Sequence, residues 1–89
     1  MKLRRCFVRY EPYIDGGTMF LFNKENGKML EGDYYSYIVV KALIDNININ
    51  DLIEEISIGN KWEISKVKED INKILHILMI KGFIDDEEQ

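Results

Sequence analysis

Apolar residues recur with two different periods along this chain, and the change falls near residue 33. Before it, three short segments at 6–13, 18–23 and 28–31 are rich in Phe, Val, Tyr, Met and Leu and predict β-strands. Asp15-Gly16-Gly17 separates the first two and Glu25-Asn26-Gly27 the second and third. Both supply residues that tolerate positive φ, as tight hairpins require. Two hairpins in series give a three-stranded antiparallel meander.

After Asp33, a candidate N-cap, the period becomes helical. Tyr35, Ile38, Val39, Ala42 and Leu43 share one side of a helix over 34–45. Asn48 precedes a second helix, with Ile47 and Leu52 placed as a hydrophobic staple and Asp51 placed to imitate a capping box. Leu52, Ile53 and Ile56 form its buried side, and Gly59 is the expected end. In the third helix Ile64, Val67, Ile71, Ile74, Leu75 and Leu78 form one continuous stripe. Gly82 fits a C-terminal cap, Phe83-Ile84 returns as a short apolar segment, and 85–89 is an acidic tail. The expected architecture is α+β, a three-stranded antiparallel β-meander followed by a three-helix winged helix-turn-helix bundle, in a single domain over 1–89.

With 89 residues there is room for one thin core, and 46% hydrophobic residues exclude a disordered polyelectrolyte. One cysteine, Cys6, forms no internal disulfide, and with the single His76 it cannot complete a four-ligand zinc site. The basic start is followed by Phe-Val-Arg-Tyr-Glu rather than an apolar run, so neither a signal peptide nor a membrane span is expected. A reduced, cytoplasmic protein fits these features.

Catalysis finds no support. His76 falls opposite the apolar stripe, the pairs Glu54-Glu55 and Asp85-Asp86 diverge as sequence neighbours do, and Gly16-Gly17 lies between strands rather than before a helix. DNA binding has one weak argument, since the third helix carries Lys66, Lys68, Lys73 and Lys81 with Lys61 just ahead. Glu63, Glu69 and Asp70 interrupt them, so five lysines against three acids leave a net of +2, and no arginine follows Arg9. An overall net charge of −4 also argues against general phosphate attraction.

Peptide binding is the remaining class. An open meander leaves unpaired N–H and C=O groups at its edge, and an edge beside a helix makes a groove in which an extended peptide adds as a strand. At about 100° per residue, Lys66, Asp70, Lys73 and Ile77 make one flank beside the core stripe. Ile77 and Ile80 either pack on the sheet and C-terminal segment or line such a groove.

Several segments in order carry a family resemblance. They are Phe7-Val8-Arg9-Tyr10-Glu11, Gly17-Thr18-Met19-Phe20-Leu21-Phe22, Gly27-Lys28-Met29-Leu30, Val39-Val40-Lys41-Ala42-Leu43-Ile44-Asp45-Asn46 and Asn50-Asp51-Leu52-Ile53-Glu54-Glu55-Ile56. Val67-Lys68-Glu69-Asp70-Ile71, Ile74-Leu75, Leu78 and Gly82-Phe83-Ile84 complete the series. This succession, over about residues 5–86, resembles the PqqD-like family, the precursor-recognition elements of ribosomally synthesised and post-translationally modified peptide (RiPP) pathways. The resemblance implies that a leader peptide adds as an antiparallel strand to the third strand, in a cleft against the third helix. The cleft walls become Lys28, Met29, Leu30 and Glu31 on one side and Lys66, Asp70, Lys73 and Ile77 on the other. Because the chain begins at its own Met and ends soon after the winged-helix segment, a free-standing adaptor serving a separate maturase is expected. The resemblance implies that it is non-catalytic, without a cofactor of its own, and that the maturase is most often a radical S-adenosylmethionine enzyme. Its partners are then peptide and enzyme, not nucleic acid or membrane. A small winged-helix DNA-binding regulator is the alternative, and a subunit with a purely structural interaction role is a third.

Overall fold

Two tight turns shape the sheet. In the first, Asp15, Gly16 and Gly17 all have positive φ, and the Gly17 N–H donates to the Ile14 carbonyl at 2.8 Å. A Cβ on Gly17 would collide with the Tyr10 hydroxyl, so a close approach adds to the conformational demand for glycine here. In the second, Gly27 has φ +76 and donates to the Asn23 carbonyl.

The computed structural model describes residues 2–85; the expected acidic tail lies, beyond Asp85, outside the described residues. The strands are β1 (Lys2–Leu3), β2 (Cys6–Glu11), β3 (Thr18–Asn23) and β4 (Met29–Gly32). The helices α1 (Tyr34–Ile44), α2 (Ile49–Asn60) and α3 (Ile64–Ile80) follow, and β5 (Ile84–Asp85) closes the order. The fold is α+β, with β2, β3 and β4 forming an antiparallel sheet in that spatial order. The strand expected over 6–13 is β2 and stops at Glu11, because Pro12 has no N–H to offer a ladder.

Side chains alternate across the sheet. Val8 pairs with Leu21 and Leu21 with Leu30 on the face that meets the helices, while Phe7, Phe22 and Met29 share the opposite, exposed face. Met19 and Leu21 join Val39 and Val40 of α1, Leu52 and Ile53 of α2, and Val67, Ile71, Leu75 and Leu78 of α3 in one core. Of the expected stripe of α3, Val67, Ile71, Leu75 and Leu78 are buried and Ile74 is half-buried, but Ile64, the first residue of the helix, is left 52% exposed.

The caps follow side-chain chemistry. Asp33 accepts from the Ser36 N–H at 2.9 Å, and Asn48 accepts from the N–H groups of Asn50 and Asp51. At its other end α2 departs from expectation by running through Gly59. Lys61 takes the left-handed conformation instead, with φ +57, and Trp62 N–H donates to the Ser57 carbonyl at 3.1 Å. The Ser57 hydroxyl donates to the Trp62 carbonyl at 2.6 Å and closes the same turn from the side-chain direction. Gly82 caps α3 as expected, with φ +82 and a Phe83 N–H to Leu78 carbonyl bond of 2.8 Å.

A second, two-stranded ladder joins the chain ends, with Lys2 opposite Asp85 and Leu3 opposite Ile84. Beside it Asn23 is completely buried. Its amide donates to the Gly82 carbonyl at 2.8 Å, and its oxygen accepts from Glu25 N–H at 2.7 Å and Asn26 N–H at 3.3 Å. The β3–β4 turn is thereby tied to the end of α3. Asn23→Ala leaves a cavity and three part-buried backbone groups without their partner, and is expected to lower unfolding free energy by about 2–4 kcal/mol in urea denaturation. A loss under about 0.5 kcal/mol would show that this tie is dispensable.

Candidate functional site: the open edge of the sheet

The hydrogen-bond alternation of the β3–β4 hairpin decides which backbone groups are free. Asn23 N–H donates to the Lys28 carbonyl at 2.8 Å, so these two residues form a bonded pair. In an antiparallel ladder bonded and non-bonded pairs alternate. Leu21–Leu30 and Met19–Gly32 are therefore bonded pairs, while Phe22–Met29 and Phe20–Glu31 are not. The N–H and C=O of Met29 and of Glu31 consequently point away from β3, and among the described residues no strand lies beyond β4.

Along this edge runs a groove. Its first part, a cleft of about 110 Å³, has Leu30, Glu31 and Gly32 on one wall and Ile74, Ile77 and Leu78 of α3 on the other, with Met19 and Ser36 between. The second part, about 370 Å³, shares Ser36 and Ile74 with the first and adds Asp33, Tyr35, Trp62, Lys66, Asp70 and Lys73. Gly32 keeps the passage open. A Cβ there would stand 2.8 Å from Ser36 Cβ and 3.1 Å from the Met19 methyl, so only glycine lets β4 run this close beneath α1.

Of the residues singled out from sequence, the structure brings Leu30, Glu31 and Ile77 to the cleft and Lys66, Asp70 and Lys73 to its continuation. Ile77 is 47% exposed, so it is not consumed by the core. Met29 reaches the edge through its backbone alone, because its side chain joins Phe7, Phe20 and Phe22 on the outer face of the sheet. Lys28 lines neither part of the groove; its carbonyl serves the hairpin. Ser36, Gly32, Tyr35, Ile74 and Trp62 line the groove without having been singled out for it. The one signal available was Trp62, the single tryptophan, in the turn just ahead of α3.

The charged wall is internally balanced. Lys66 Nζ lies 2.9 Å from Asp70 and 5.6 Å from the centre of the Trp62 ring, and Lys73 lies 3.9 Å from Glu69. Exposed i,i+4 pairs of this kind contribute only a few tenths of a kcal/mol, roughly 0.3–0.5, so either lysine is free to exchange partners. Tyr35 places a buried hydroxyl with no hydrogen-bond partner in this neighbourhood. Burial first, and then the Asp70 carboxylate, push its pKa above the ordinary tyrosine value.

The other reactive groups do not line the groove. His76 is exposed on the adjoining side of α3, beside Lys68, Asn72 and Lys73, and lines neither part of the groove. Burial pushes the Cys6 thiol pKa up, which keeps it protonated and weakly nucleophilic at neutral pH. Among the described residues no three His, Cys, Asp or Glu side chains gather to hold a metal ion, and no helix is long and apolar enough to cross a membrane. No protein-family model, curated protein or solved structure matches this chain.

Tyr35 gives a direct check of this geometry. Removing an unpaired buried hydroxyl costs little, so Tyr35→Phe is expected to leave stability unchanged or raise it by up to about 1 kcal/mol at neutral pH. A raised folded-state pKa means that the stability linked to this proton is complete below the ordinary value near 10 and is lost as pH climbs through the folded-state value. The fall of stability in alkali should therefore be shallower in Tyr35→Phe than in the parent. Denaturant titrations at pH 7 and in alkali measure both; a loss above about 1 kcal/mol at pH 7 would instead mean that the hydroxyl is bonded to Asp70.

Proposed function

We propose that this protein is a non-catalytic adaptor that captures an extended peptide by strand addition to β4 and presents it to a modifying enzyme. The observation that carries the reading is the outward aim of the Met29 and Glu31 backbone groups beside the mainly apolar cleft of Leu30, Ile74 and Ile77. Backbone pairing supplies the attachment, and pockets that meet alternate side chains supply selection. Side chains of the added strand opposite Leu30 and Gly32 would turn toward Ile74 and Ile77, and those opposite Met29 and Glu31 toward the outer face.

The resemblance to PqqD-like proteins gives the peptide a class, the leader of a RiPP precursor, and gives the recipient a class, a separate maturase such as a radical S-adenosylmethionine enzyme. In that reading α2, the turn at 61–63 and α3 are a helix-turn-helix, and the β1–β5 ladder stands where a wing would be. The domain works in the cytoplasm and holds no cofactor. A DNA-binding role has less behind it, because Lys66 and Lys73 already face carboxylates on their own helix.

A leader peptide from a precursor gene adjacent to the gene for this chain is expected to bind with roughly micromolar or tighter affinity in calorimetry. Proline at Met29 removes an N–H that only the incoming strand uses, whereas proline at Leu30 breaks a bond to Leu21. Met29→Pro should thus abolish binding with the fold retained, and Leu30→Pro should damage the sheet itself. Retained binding in Met29→Pro would place the peptide elsewhere.

Charge on the helix wall provides a second measure. Reversing Lys66 and Lys73 together to Glu is expected to weaken an acidic leader about tenfold, with thermal stability changed by no more than the small cost of the like-charged i,i+4 pairs created. Lys24→Glu with Lys41→Glu, exposed and lining neither part of the groove, serves as the control. Equal losses from the two pairs would reveal general attraction and remove Lys66 and Lys73 from the site.

A further inference from the structure

Beside Trp62, next to the groove, lies a separate pocket of about 150 Å³ walled by Tyr34, Tyr35, Ile38, Ile56 and Trp62. Tyr35 and Trp62 line both the pocket and the groove, so the two adjoin at these rings. The walls are set in advance. Tyr34 packs on Tyr10 and Tyr37 with ring centres 5.6 and 6.4 Å away, Tyr10 and Tyr37 stack at 4.5 Å, and Tyr35 leans on Trp62 at 6.3 Å. An apolar cavity of about 150 Å³ is large enough to accept a benzene ring, and rings gain from tilted contacts with aromatic walls.

Resting on the strand-addition reading, we propose that this pocket receives one aromatic side chain of the same peptide that pairs with β4. The route follows from chain direction. From Gly32 the chain turns through Asp33 into α1, so the groove beyond that end of β4 leads past Ser36 and Tyr35 to the pocket. In an antiparallel addition the aromatic residue therefore lies on the N-terminal side of the residues that pair with Glu31 and Met29. The pocket's walls carry aliphatic and ring surface, so a charged or amide side chain would lose its hydration there without replacement bonds.

The test uses a random dodecapeptide library displayed on phage, selected on the whole chain, with the selected sequences then made as synthetic peptides. Selected peptides should share one aromatic position whose replacement by alanine weakens binding at least tenfold. Ile56→Trp, which fills the pocket, should weaken the parent peptides by a similar factor while circular dichroism shows the fold retained. Because Trp62 is the only tryptophan, its emission provides a readout that needs no variant protein: the parent peptide should shift it and the alanine peptide should not. N-methylation of alternate peptide bonds, or Met29→Pro, tests strand addition separately. Peptides that need β4 yet show no shared aromatic position, or that leave Trp62 emission unmoved, overturn the pocket assignment while strand addition stands. No binders at all, or binding blind to both Met29→Pro and N-methylation, overturns strand addition and this assignment together.

Discussion

The spacing between β4 and α3 depends on one buried amide. Asn23 has no contact with solvent, and a side chain so placed must find all its partners inside the protein. It does so by holding its own turn with its oxygen and the Gly82 carbonyl with its nitrogen. The hairpin that ends in β4 and the helix that ends at Gly82 are thereby fixed to one another. Arg4 adds ion pairs to Glu25 and Asp85 across the same end, but those groups are partly exposed and contribute little beside the buried bonds. With one end pinned, the separation of the two walls follows from the core residues Leu21, Ile71 and Leu78 between them.

The sequence was most readable where chemistry is local. Turn glycines, the Asp33 and Asn48 caps and the stripe from Val67 to Leu78 each depend on neighbours within a few residues, and each is where it was expected. Residues whose environment depends on register were harder to read. Shifting a strand by one position exchanges its faces, so only the pairing of Leu30 with Leu21 and of Met29 with Phe22 says that Leu30 turns toward the core and Met29 away from it. The β1–β5 ladder was beyond reach for a related reason: two residues at each end of a chain carry no periodicity. Gly59 misled because glycine is the usual left-handed residue after a helix, whereas Ser57 and Trp62 close the turn one position later around Lys61.

In the candidate site, the helix flank read from 3.6 periodicity has Ile77 beside the sheet edge and Lys66, Asp70 and Lys73 on the continuation of the groove. Ile74 was missed because it serves two purposes, closing the core stripe on one side and lining the groove on the other. Tyr35 and Trp62 come from separate elements, and only tertiary packing brings their rings together. The groove that results has little net charge, since Lys66 and Lys73 are offset by Asp70 and Glu69. Its character is set by shape, by exposed isoleucine and aromatic surface, and by unpaired backbone. Such a surface discriminates by contour and side-chain fit rather than by long-range attraction.

The brevity of β4 has a consequence for how a partner strand would be aligned. A pleated strand repeats every two residues, so a guest displaced by that step offers its host the same faces and the same pattern of bonds. An edge on which Met29 and Glu31 alone face outward spans little more than one such repeat, and by itself it cannot count positions along a sequence. A longer edge would accumulate mismatches with each wrong step and correct itself. Here the reading frame must be set by features at the margins: the turn at Lys28 before the strand and the entry into α1 after Gly32, which act as end stops on a very short ruler.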